Sequence, residues 1–322
     1  MTGLTARAPA KINLQLSVGP RRPDGFHDLA TIFHAVSLFD EVTVRAARTI
    51  TVRVEGEGAA EVPSGRGNLA AAAARLLRKA AGISTGAEML IRKRIPVAAG
   101  LAGGSADAAA ALVACNKLWS AGLSPAGLSE LAAELGSDVP FSLAGGTAVG
   151  LGRGDRLTHA LVSGRYHWVL AVAAGGLSTA DVYAECDRLR AAGAAGAAVR
   201  AARGPSAAGS AGGASRALLA ALRRGDAAAV GALLSNDLQA AALSLRPQLR
   251  RTLEAGSEHG ALGSIVSGSG PTCAFLARSE KHAVDLAATL AGAGVCRKVM
   301  CASGPVAGAM AGTHSARRSG VT

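Results

Sequence analysis

A glycine-rich segment between a strand and a helix is the feature that constrains this chain most. Residues 96–106 read Pro-Val-Ala-Ala-Gly-Leu-Ala-Gly-Gly-Ser-Ala, after a strand pattern over 87–95 and before an apolar helix pattern over 105–119. Glycines let the backbone approach a ligand closely, and the free N–H groups at a helix start can hold an anion. The segment lacks the Gly-Lys-Ser/Thr of a Walker A loop and the spacing of a Rossmann fingerprint. It predicts either a phosphate-binding loop, with Ser105 as a hydroxyl contact, or a plain strand–helix connector.

The order of strand and helix patterns predicts the fold class. Alternating apolar residues indicate a strand over 5–18, a hairpin over 41–55 and a glycine-punctuated strand over 141–151. Asn68 and Ser124 stand where the N-caps of two helices are expected. Because strands and helices mix without a regular βαβ repeat, we expect an α+β fold.

The length of 322 residues suggests two domains, since one domain takes roughly 150 residues. We expect the first domain over 1–160 and the second over 161–306. Residues 191–215 are rich in Ala, Gly and Ser, and they indicate an inserted mobile loop or, alternatively, an Ala-rich helix. The small and polar residues over 307–322 predict a flexible tail.

Composition narrows the class of protein and its compartment. A hydrophobic share of 49% argues against a disordered chain. No apolar run reaches the roughly 18 residues that span a bilayer, and residues 1–10 lack the apolar core of a signal peptide. Five cysteines without a C-x-x-C pair argue against a disulfide framework or a zinc site. We therefore expect a cytoplasmic protein without a membrane partner.

The basic net charge of +12 raises the question of a nucleic-acid partner. Seven arginines and no acidic residue lie between 188 and 225, so this one stretch supplies more than half of the excess. The basic residues are not interleaved with aromatic residues, as an RNA-binding sheet would require. We therefore expect no nucleic-acid partner.

Two charged residues outside the loop stand in apolar surroundings. Lys11 lies in the strand pattern over 8–14, and Asp138 lies in Gly-Ser-Asp-Val-Pro over 136–140. Lys11 is a candidate functional cation or a charge that protects an edge strand from aggregation. Asp138 is a candidate catalytic carboxylate or a cap of the next element.

Taken together, three segments resemble the three motifs of the GHMP kinases (galactokinase, homoserine, mevalonate and phosphomevalonate kinases). They are Pro-Ala-Lys-Ile-Asn-Leu over 9–14, the loop over 96–106 and Ser-Gly-Ser-Gly over 267–270. Two further stretches, Arg-Pro-Asp-Gly-Phe-His over 22–27 and Gly-Ser-Asp-Val-Pro-Phe followed by Gly-Gly-Thr-Ala within 136–148, are similar to the branch of the family that acts on 4-diphosphocytidyl-2-C-methyl-D-erythritol. The motifs occur in order between about residue 5 and about residue 302.

This resemblance implies a fold and a reaction. The fold is the two-domain GHMP arrangement, with an N-terminal domain like ribosomal protein S5 domain 2, a ferredoxin-like C-terminal domain and an active site in the cleft between them. The reaction transfers the γ-phosphate of ATP, with Mg²⁺, to the 2-hydroxyl of that small-molecule substrate in the non-mevalonate route to isoprenoid precursors. We name no side chain as a metal ligand, and we expect a monomer or a weak homodimer.

The resemblance also implies roles for the charged residues and the loop. Asp138 is the expected general base, and Lys11 is the expected cation that keeps Asp138 ionised and orients the hydroxyl. The expected ATP-binding residues are Pro96, Val97, Ala98, Ala99, Gly100, Leu101, Ala102, Gly103, Gly104, Ser105 and Ala106.

The remaining expectations concern the acceptor substrate. Phe26 and Tyr183 are expected to enclose the cytosine, and His27 is expected to bond its edge. The other expected substrate-binding residues are Asn13 near the acceptor diol, Thr179 near the diphosphate, and Gly268 and Ser269 where the backbone approaches. The alternatives are a core position for Tyr183, a structural role for His27 and a plain tight turn over 267–270.

The chain departs from the family pattern at three positions. Phe26 replaces a Tyr, Ala102 replaces a Gly of the loop and Ala106 replaces a Ser. Ala102 is tolerable unless its backbone needs a positive φ. The rival hypotheses are a GHMP kinase that acts on mevalonate or homoserine, an inactive nucleotide-binding member and a nucleic-acid binder that uses the Arg-rich stretch.

Overall fold

The computed structural model describes residues 3–195 and 214–312, and within these ranges the strands form an eight-stranded and a four-stranded sheet. The strands are β1 (Leu4–Arg21), β2 (His27–Ala47), β3 (Thr51–Gly56), β4 (Gly86–Lys93), β5 (Thr147–Gly152), β6 (Arg156–His159), β7 (Tyr166–Val172), β8 (Ser235–Asn236), β9 (Gly263–Val266), β10 (Thr272–Ala277), β11 (Lys298–Gly304) and β12 (Met310–Gly312). The helices are α1 (Leu69–Ala80), α2 (Gly103–Leu118), α3 (Pro125–Leu135), α4 (Val139–Ala144), α5 (Thr179–Ala195), α6 (Arg216–Arg224), α7 (Ala227–Ala232), α8 (Gln239–Leu245), α9 (Gln248–Glu258) and α10 (Glu280–Gly292), with a short 3₁₀ helix over Ala59–Glu61.

The large sheet is built around the long antiparallel pair of β1 and β2. Its order is β12-β1-β2-β4-β3. In addition, β8 pairs with β1, β5 pairs with β2, and β6 pairs with β5. Side chains alternate across β1, so Ile12 and Leu14 enter the core while Lys11 and Asn13 share the opposite face. The small sheet has the order β11-β7-β10-β9, and α9 and α10 pack on it. The α+β prediction is confirmed.

The predicted hairpin over 41–55 is wrong. Both halves are strands, but β4 lies between them, antiparallel to β2 and parallel to β3. Alternation along a strand shows which face is buried and says nothing about which strand is its neighbour.

The predicted strand over 141–151 is correct only in its second half. Residues 139–144 form α4, with Pro140 in its first turn, where a missing N–H costs nothing. Gly145 and Gly146 both have positive φ, and they end the helix before β5 begins at Thr147.

The C-terminal segments add two further differences. The described end of the chain is not free, because Thr5 pairs with Gly312 in β12 and Ala307 bridges Gly145. The expected flexible tail is therefore wrong for residues 307–312. Helix α5 continues to Ala195 into the low-complexity region, and residues 196–213 lie outside the described ranges.

The caps predicted from sequence are present. The Asn68 side chain accepts a hydrogen bond from Ala71 N at 3.1 Å, and that of Ser124 accepts one from Gly127 N at 3.2 Å. Across the described residues, no helix combines the length and apolar character that a membrane span needs.

Candidate active site

A cavity of about 1050 Å³ collects residues from distant parts of the chain. Its wall includes β1, the start of β2, the glycine-rich loop, the segment before α4, helix α5 and the turn after β9. Every predicted site residue lines it except Leu101 and Ala106. Those two side chains are buried in the hydrophobic core, so the structure does not support direct contacts from them to a nucleotide.

The charged centre of this cavity is Lys11. Its Nζ lies 3.9 Å from Asp138 Oδ2 and donates a 2.8 Å hydrogen bond to Asn13 Oδ1. Asn13 in turn donates to Thr31 Oγ1 at 2.8 Å, which fixes the amide with its oxygen towards the lysine. Burial lowers the pKa of Lys11, and the Asp138 carboxylate opposes that shift.

The structure disagrees with the alternative roles for this pair, which were protection of an edge strand by Lys11 and helix capping by Asp138. Lys11 is only 5% exposed, and its backbone N–H bonds Leu101 O, so it does not guard an exposed strand edge. Asp138 occupies the N-cap position of α4, but its side chain makes no capping hydrogen bond. The Asp138 carboxylate is thus available to the cavity.

The glycine-rich loop brings the start of α2 to the cavity wall. Gly103, Gly104 and Ser105 form the first turn of α2 and line the cavity, and first-turn N–H groups have no partner inside a helix. Ala102, which precedes them, has φ +58°, so the alanine stands at a left-handed position that favours glycine. This arrangement offers backbone donors and the positive end of a helix dipole to an anion.

The turn over 267–270 closes against the same loop. Ser267 Oγ donates a 3.1 Å hydrogen bond to Gly100 O. A Cβ on Gly100 would lie 2.2 Å from Ser267 O, and Gly100 also has φ +76°, so only glycine fits there. A Cβ on Gly268 would lie 3.0 Å from Lys11 Nζ, which shows how closely this turn approaches the lysine. The turn is therefore part of the cavity wall and more than a connector.

A buried charge cluster beneath the loop was missed by the sequence analysis. Lys93 Nζ donates short hydrogen bonds to Asp40 and, at 2.8 Å, to Asp107. Burial raises the pKa of Asp107 above its ordinary value, against the opposing charge of Lys93. A lysine at an inward position of β4 and an aspartate inside an alanine-rich helix were the available signals.

The opposite end of the cavity is aromatic. The rings of His27 and Tyr183 lie 5.0 Å apart at 31°, and His27 Nε2 lies 3.0 Å from Asp187 Oδ1. Phe26 is 55% exposed, and the Arg153 guanidinium lies 5.9 Å from its ring centroid. Sequence reasoning missed Asp187 and Arg153 because each lies far along the chain from the residue that it contacts.

The last two predicted site residues, Thr179 on α5 and Ser269 in the turn after β9, contact each other. Thr179 Oγ1 and Ser269 Oγ are 3.0 Å apart, and both residues line the cavity. A small apolar patch, also missed by the sequence analysis, consists of Val62, Pro63 and Leu69. It lies in the same cavity as the first turn of α2.

Comparison with known proteins places these features in a family context. The sequence profile of the GHMP kinases N terminal domain matches residues 68–146, and that of the GHMP kinases C terminal region matches residues 218–296. The chain is 57% identical over 303 residues to the 4-diphosphocytidyl-2-C-methyl-D-erythritol kinase of Nocardia farcinica (strain IFM 10152), covering 94% of each chain. It is 55% identical over 306 residues to the kinase of the same name from Mycolicibacterium gilvum (strain PYR-GCK), covering 95% of this chain and 92% of the relative.

Solved structures of kinases also resemble this chain. A crystal structure of 4-(cytidine 5′-diphospho)-2C-methyl-D-erythritol kinase matches with a TM-score of 0.71 at 33% identity, covering 93% of this chain and 98% of the other. The homoserine kinase of Cytophaga hutchinsonii matches with a TM-score of 0.70 at 19% identity, covering 97% of this chain and 98% of the other. At that identity the second likeness concerns the fold alone.

Proposed function

This chain belongs to the 4-diphosphocytidyl-2-C-methyl-D-erythritol kinases within the GHMP kinase family, and from that premise we propose the reaction that it performs. It transfers the γ-phosphate of ATP to the 2-hydroxyl of 4-diphosphocytidyl-2-C-methyl-D-erythritol and releases ADP. The product is the 2-phosphate of that substrate, an intermediate of the non-mevalonate route to isoprenoid precursors. The chain is thus a small-molecule kinase.

One observation carries this proposal. A single cavity contains the Lys11–Asp138 pair, the first turn of α2 and the His27–Tyr183 ring pair. The cavity therefore offers a charged centre, an anion-binding helix start and a flat aromatic surface to one pair of substrates. A kinase for a short acceptor such as homoserine has no use for the third feature.

Asp138 acts as the general base in this proposal. As the acceptor oxygen forms its bond to the γ-phosphorus, the bond from that phosphorus to the bridging oxygen of ADP breaks, and the hydroxyl proton passes to the Asp138 carboxylate. Lys11, 3.9 Å from that carboxylate, stabilises its ionised form and the negative charge of the transferring group. Asn13 holds the Lys11 ammonium in place through its 2.8 Å hydrogen bond.

The nucleotide lies along the glycine-rich loop. The N–H groups of Gly103, Gly104 and Ser105 are proposed to bind its phosphates, and the apolar patch of Val62, Pro63 and Leu69 is proposed to receive the adenine. The side chains of Leu101 and Ala106 pack in the hydrophobic core and not in the cavity. In this proposal they contribute to nucleotide binding only by anchoring the backbone of the loop.

We propose that Mg²⁺ enters with ATP. Mg²⁺ in kinases is held by substrate phosphates, waters and few protein oxygens, and no group of three or more acidic, His or Cys residues suited to a metal occurs in the described ranges. The Ser105 hydroxyl, which lines the cavity, is the oxygen that would hold it beside the phosphates. The ion neutralises phosphate charge when bound.

The cytosine is proposed to stack in the aromatic end of the cavity. Tyr183 supplies one ring, Phe26 supplies a second from the exposed rim, and His27 bonds the base edge. Thr179, Ser269 and the backbone at Gly268 are proposed to contact the diphosphate and the diol.

A coupled assay of ADP release tests the proposal. The purified chain is given ATP, Mg²⁺ and one acceptor: the diphosphocytidyl substrate, mevalonate or homoserine. We expect turnover with the first acceptor and at most a trace with the other two. Equal or greater turnover with mevalonate or homoserine would reject the acceptor assignment, and no turnover with any of them would reject the kinase proposal for this chain.

We further propose that the enzyme works in the cytoplasm as a monomer or a weak homodimer. Its free cysteines suit a reducing compartment. Sedimentation at micromolar concentration tests the second point, and a stable higher oligomer would contradict it.

A further inference from the structure

The search for a function beyond these roles leads to Asp187, which none of the motifs contains. Asp187 lies on α5, one helical turn after Tyr183, so both side chains lie on the same face of that helix. His27 is the first residue of β2, 160 positions earlier in the chain. Helix α5 thus presents a ring and a carboxylate to one histidine.

The contact has a defined chemistry. His27 Nε2 lies 3.0 Å from Asp187 Oδ1 and 3.2 Å from Asp187 Oδ2. An ionised carboxylate only accepts hydrogen bonds, so Nε2 must carry the proton. In a neutral imidazole the other nitrogen, Nδ1, is then an acceptor. Within the described residues no protein group donates to Nδ1, and His27 lines the cavity.

We propose that Asp187 is a positioning residue that sets the base preference of the cavity through His27. By holding the proton on Nε2 and fixing the ring against Tyr183, it presents a bare Nδ1 as the acceptor for an exocyclic amino group. Cytosine offers such an amino group, whereas uracil has a carbonyl oxygen at that position, which would face the Nδ1 lone pair. The proposal rests on the proposed function, because it assumes that the base binds at this end of the cavity.

Two ligands that differ at this base edge provide the test. The inhibition constants of CDP and UDP are measured against the diphosphocytidyl substrate for the wild type, Asp187→Ala, Asp187→Glu and Asp181→Asn. Asp181 is a carboxylate of the same helix that does not line the cavity, so Asp181→Asn is the matched control. For the wild type we expect CDP to bind about tenfold or more tightly than UDP, the usual worth of a good hydrogen bond against an unpaired group.

The variants separate positioning from simple stabilisation. Asp187→Ala should bring the CDP-to-UDP ratio close to one and leave the KM for ATP unchanged. Asp187→Glu should restore part of the ratio, and Asp181→Asn should keep all of it. A wild-type ratio near one, or an Asp187→Ala ratio equal to that of the wild type, would overturn the proposal whatever happens to thermal stability.

A spectroscopic measurement stands even if Asp187→Ala fails to fold. In ¹⁵N-histidine-labelled wild-type protein, the signals of His27 are identified by their absence in His27→Gln. We expect a protonated Nε2 and a bare Nδ1, and we expect the Nδ1 shift to move when CDP is added. A proton on Nδ1 would overturn the proposal. If CDP does not bind at all and the diphosphocytidyl substrate is not turned over, the proposed function itself has failed, which is a different result.

Discussion

At the scale of single residues, the burial of Lys11 strengthens the electrostatic interaction of its ammonium with the Asp138 carboxylate. A lysine that is 5% exposed acts on Asp138 through a medium of lower effective dielectric constant than water, so its charge is felt strongly at 3.9 Å. The same burial would be costly without Asn13 Oδ1 as a hydrogen-bond acceptor for the ammonium. The hydrogen bond from Lys11 to Asn13 thus keeps the lysine ammonium beside the Asp138 carboxylate.

The first prediction concerns that base. Asp138→Asn should keep ATP binding and lose about 10²–10⁴ in kcat, the usual worth of a general base. The control is Asp226→Asn, since Asp226 also occupies the N-cap position of a helix but lies outside the cavity, where its side chain accepts a hydrogen bond from Ala229 N. Steady-state kinetics with both substrates give the answer. A kcat near that of the wild type would remove Asp138 from the mechanism.

The second prediction concerns the aromatic end of the cavity. Stacking of a base on a ring is worth about 1–3 kcal/mol, so Tyr183→Ala should raise the KM for the diphosphocytidyl substrate by roughly 5- to 150-fold and leave the KM for ATP unchanged. Tyr183→Phe should be mild, because the ring provides the contact. The chain has one other tyrosine, Tyr166, which is buried in the core. Tyr166→Ala should lower thermal stability and leave the KM values for both substrates unchanged. If Tyr183→Ala behaves like Tyr166→Ala, Tyr183 is a core residue.

At the scale of elements, the glycine-rich loop and α2 act as one unit. Ala98, Gly100 and Ala102 all have positive φ. The backbone therefore changes direction at every second residue before α2 starts at Gly103. Glycines of this unit differ in what surrounds them. A Cβ on Gly103 would lie 3.0 Å from Lys93 Nζ, whereas a Cβ on Gly104 would meet only Leu69 Cδ1 at 3.5 Å. A substitution at Gly103 therefore disturbs the buried charge cluster, and one at Gly104 tests the cavity.

The third prediction uses that difference. Gly104→Val should fold and weaken ATP binding by about tenfold or more, roughly 1.4 kcal/mol, because the side chain enters the space proposed for phosphate. Affinity for the diphosphocytidyl substrate should fall much less. The control is Gly127→Val, in the first turn of α3 and outside the cavity, with ordinary contacts around its Cβ. Calorimetric titration with each ligand measures both affinities, and an unchanged affinity for ATP in Gly104→Val would reject the loop assignment.

At the scale of the whole molecule, His34 links the two sheets. It is fully buried on β2, where its Nδ1 lies 2.8 Å from Thr147 Oγ1 and its ring is 5.9 Å from that of Trp168 on β7. Burial lowers the pKa of His34 to about 3. A neutral histidine is therefore built into the junction.

The fourth prediction is a loss of stability in mild acid. In the unfolded chain His34 binds a proton near its ordinary pKa of about 6.5, whereas the folded chain resists it down to about 3. The unfolded state therefore binds more protons between these pH values, and stability falls as the pH falls through this window. Between pH 7 and pH 5 the contribution of His34 should decrease by about 2 kcal/mol.

Urea unfolding at the two pH values measures this effect. His34→Gln should lose less stability between pH 7 and pH 5 than the wild type does, even if it is less stable at pH 7. His259→Gln, which changes an exposed histidine, should follow the wild type. An equal loss in wild type and His34→Gln would mean that His34 does not control the acid response.

Much of the local structure was open to prediction from the sequence because it depends on residues close together in the chain. The caps at Asn68 and Ser124, the alternation of β1 and the strand–loop–helix unit before α2 are set by neighbours within a few positions. The motifs likewise pointed to Lys11 and Asp138, which the structure brings to 3.9 Å.

The tertiary structure alone decided which distant groups meet. The insertion of β4 between β2 and β3, the return of β12 to β1 and the contacts of Lys93 and Asp187 with their partners join residues that no local pattern relates. Alternation and helical periodicity state which side of an element is buried, and burial is non-directional, so many partners satisfy it equally. Only the packing of the complete chain selects one partner, and for His27 that selection brings Nε2 to the Asp187 carboxylate.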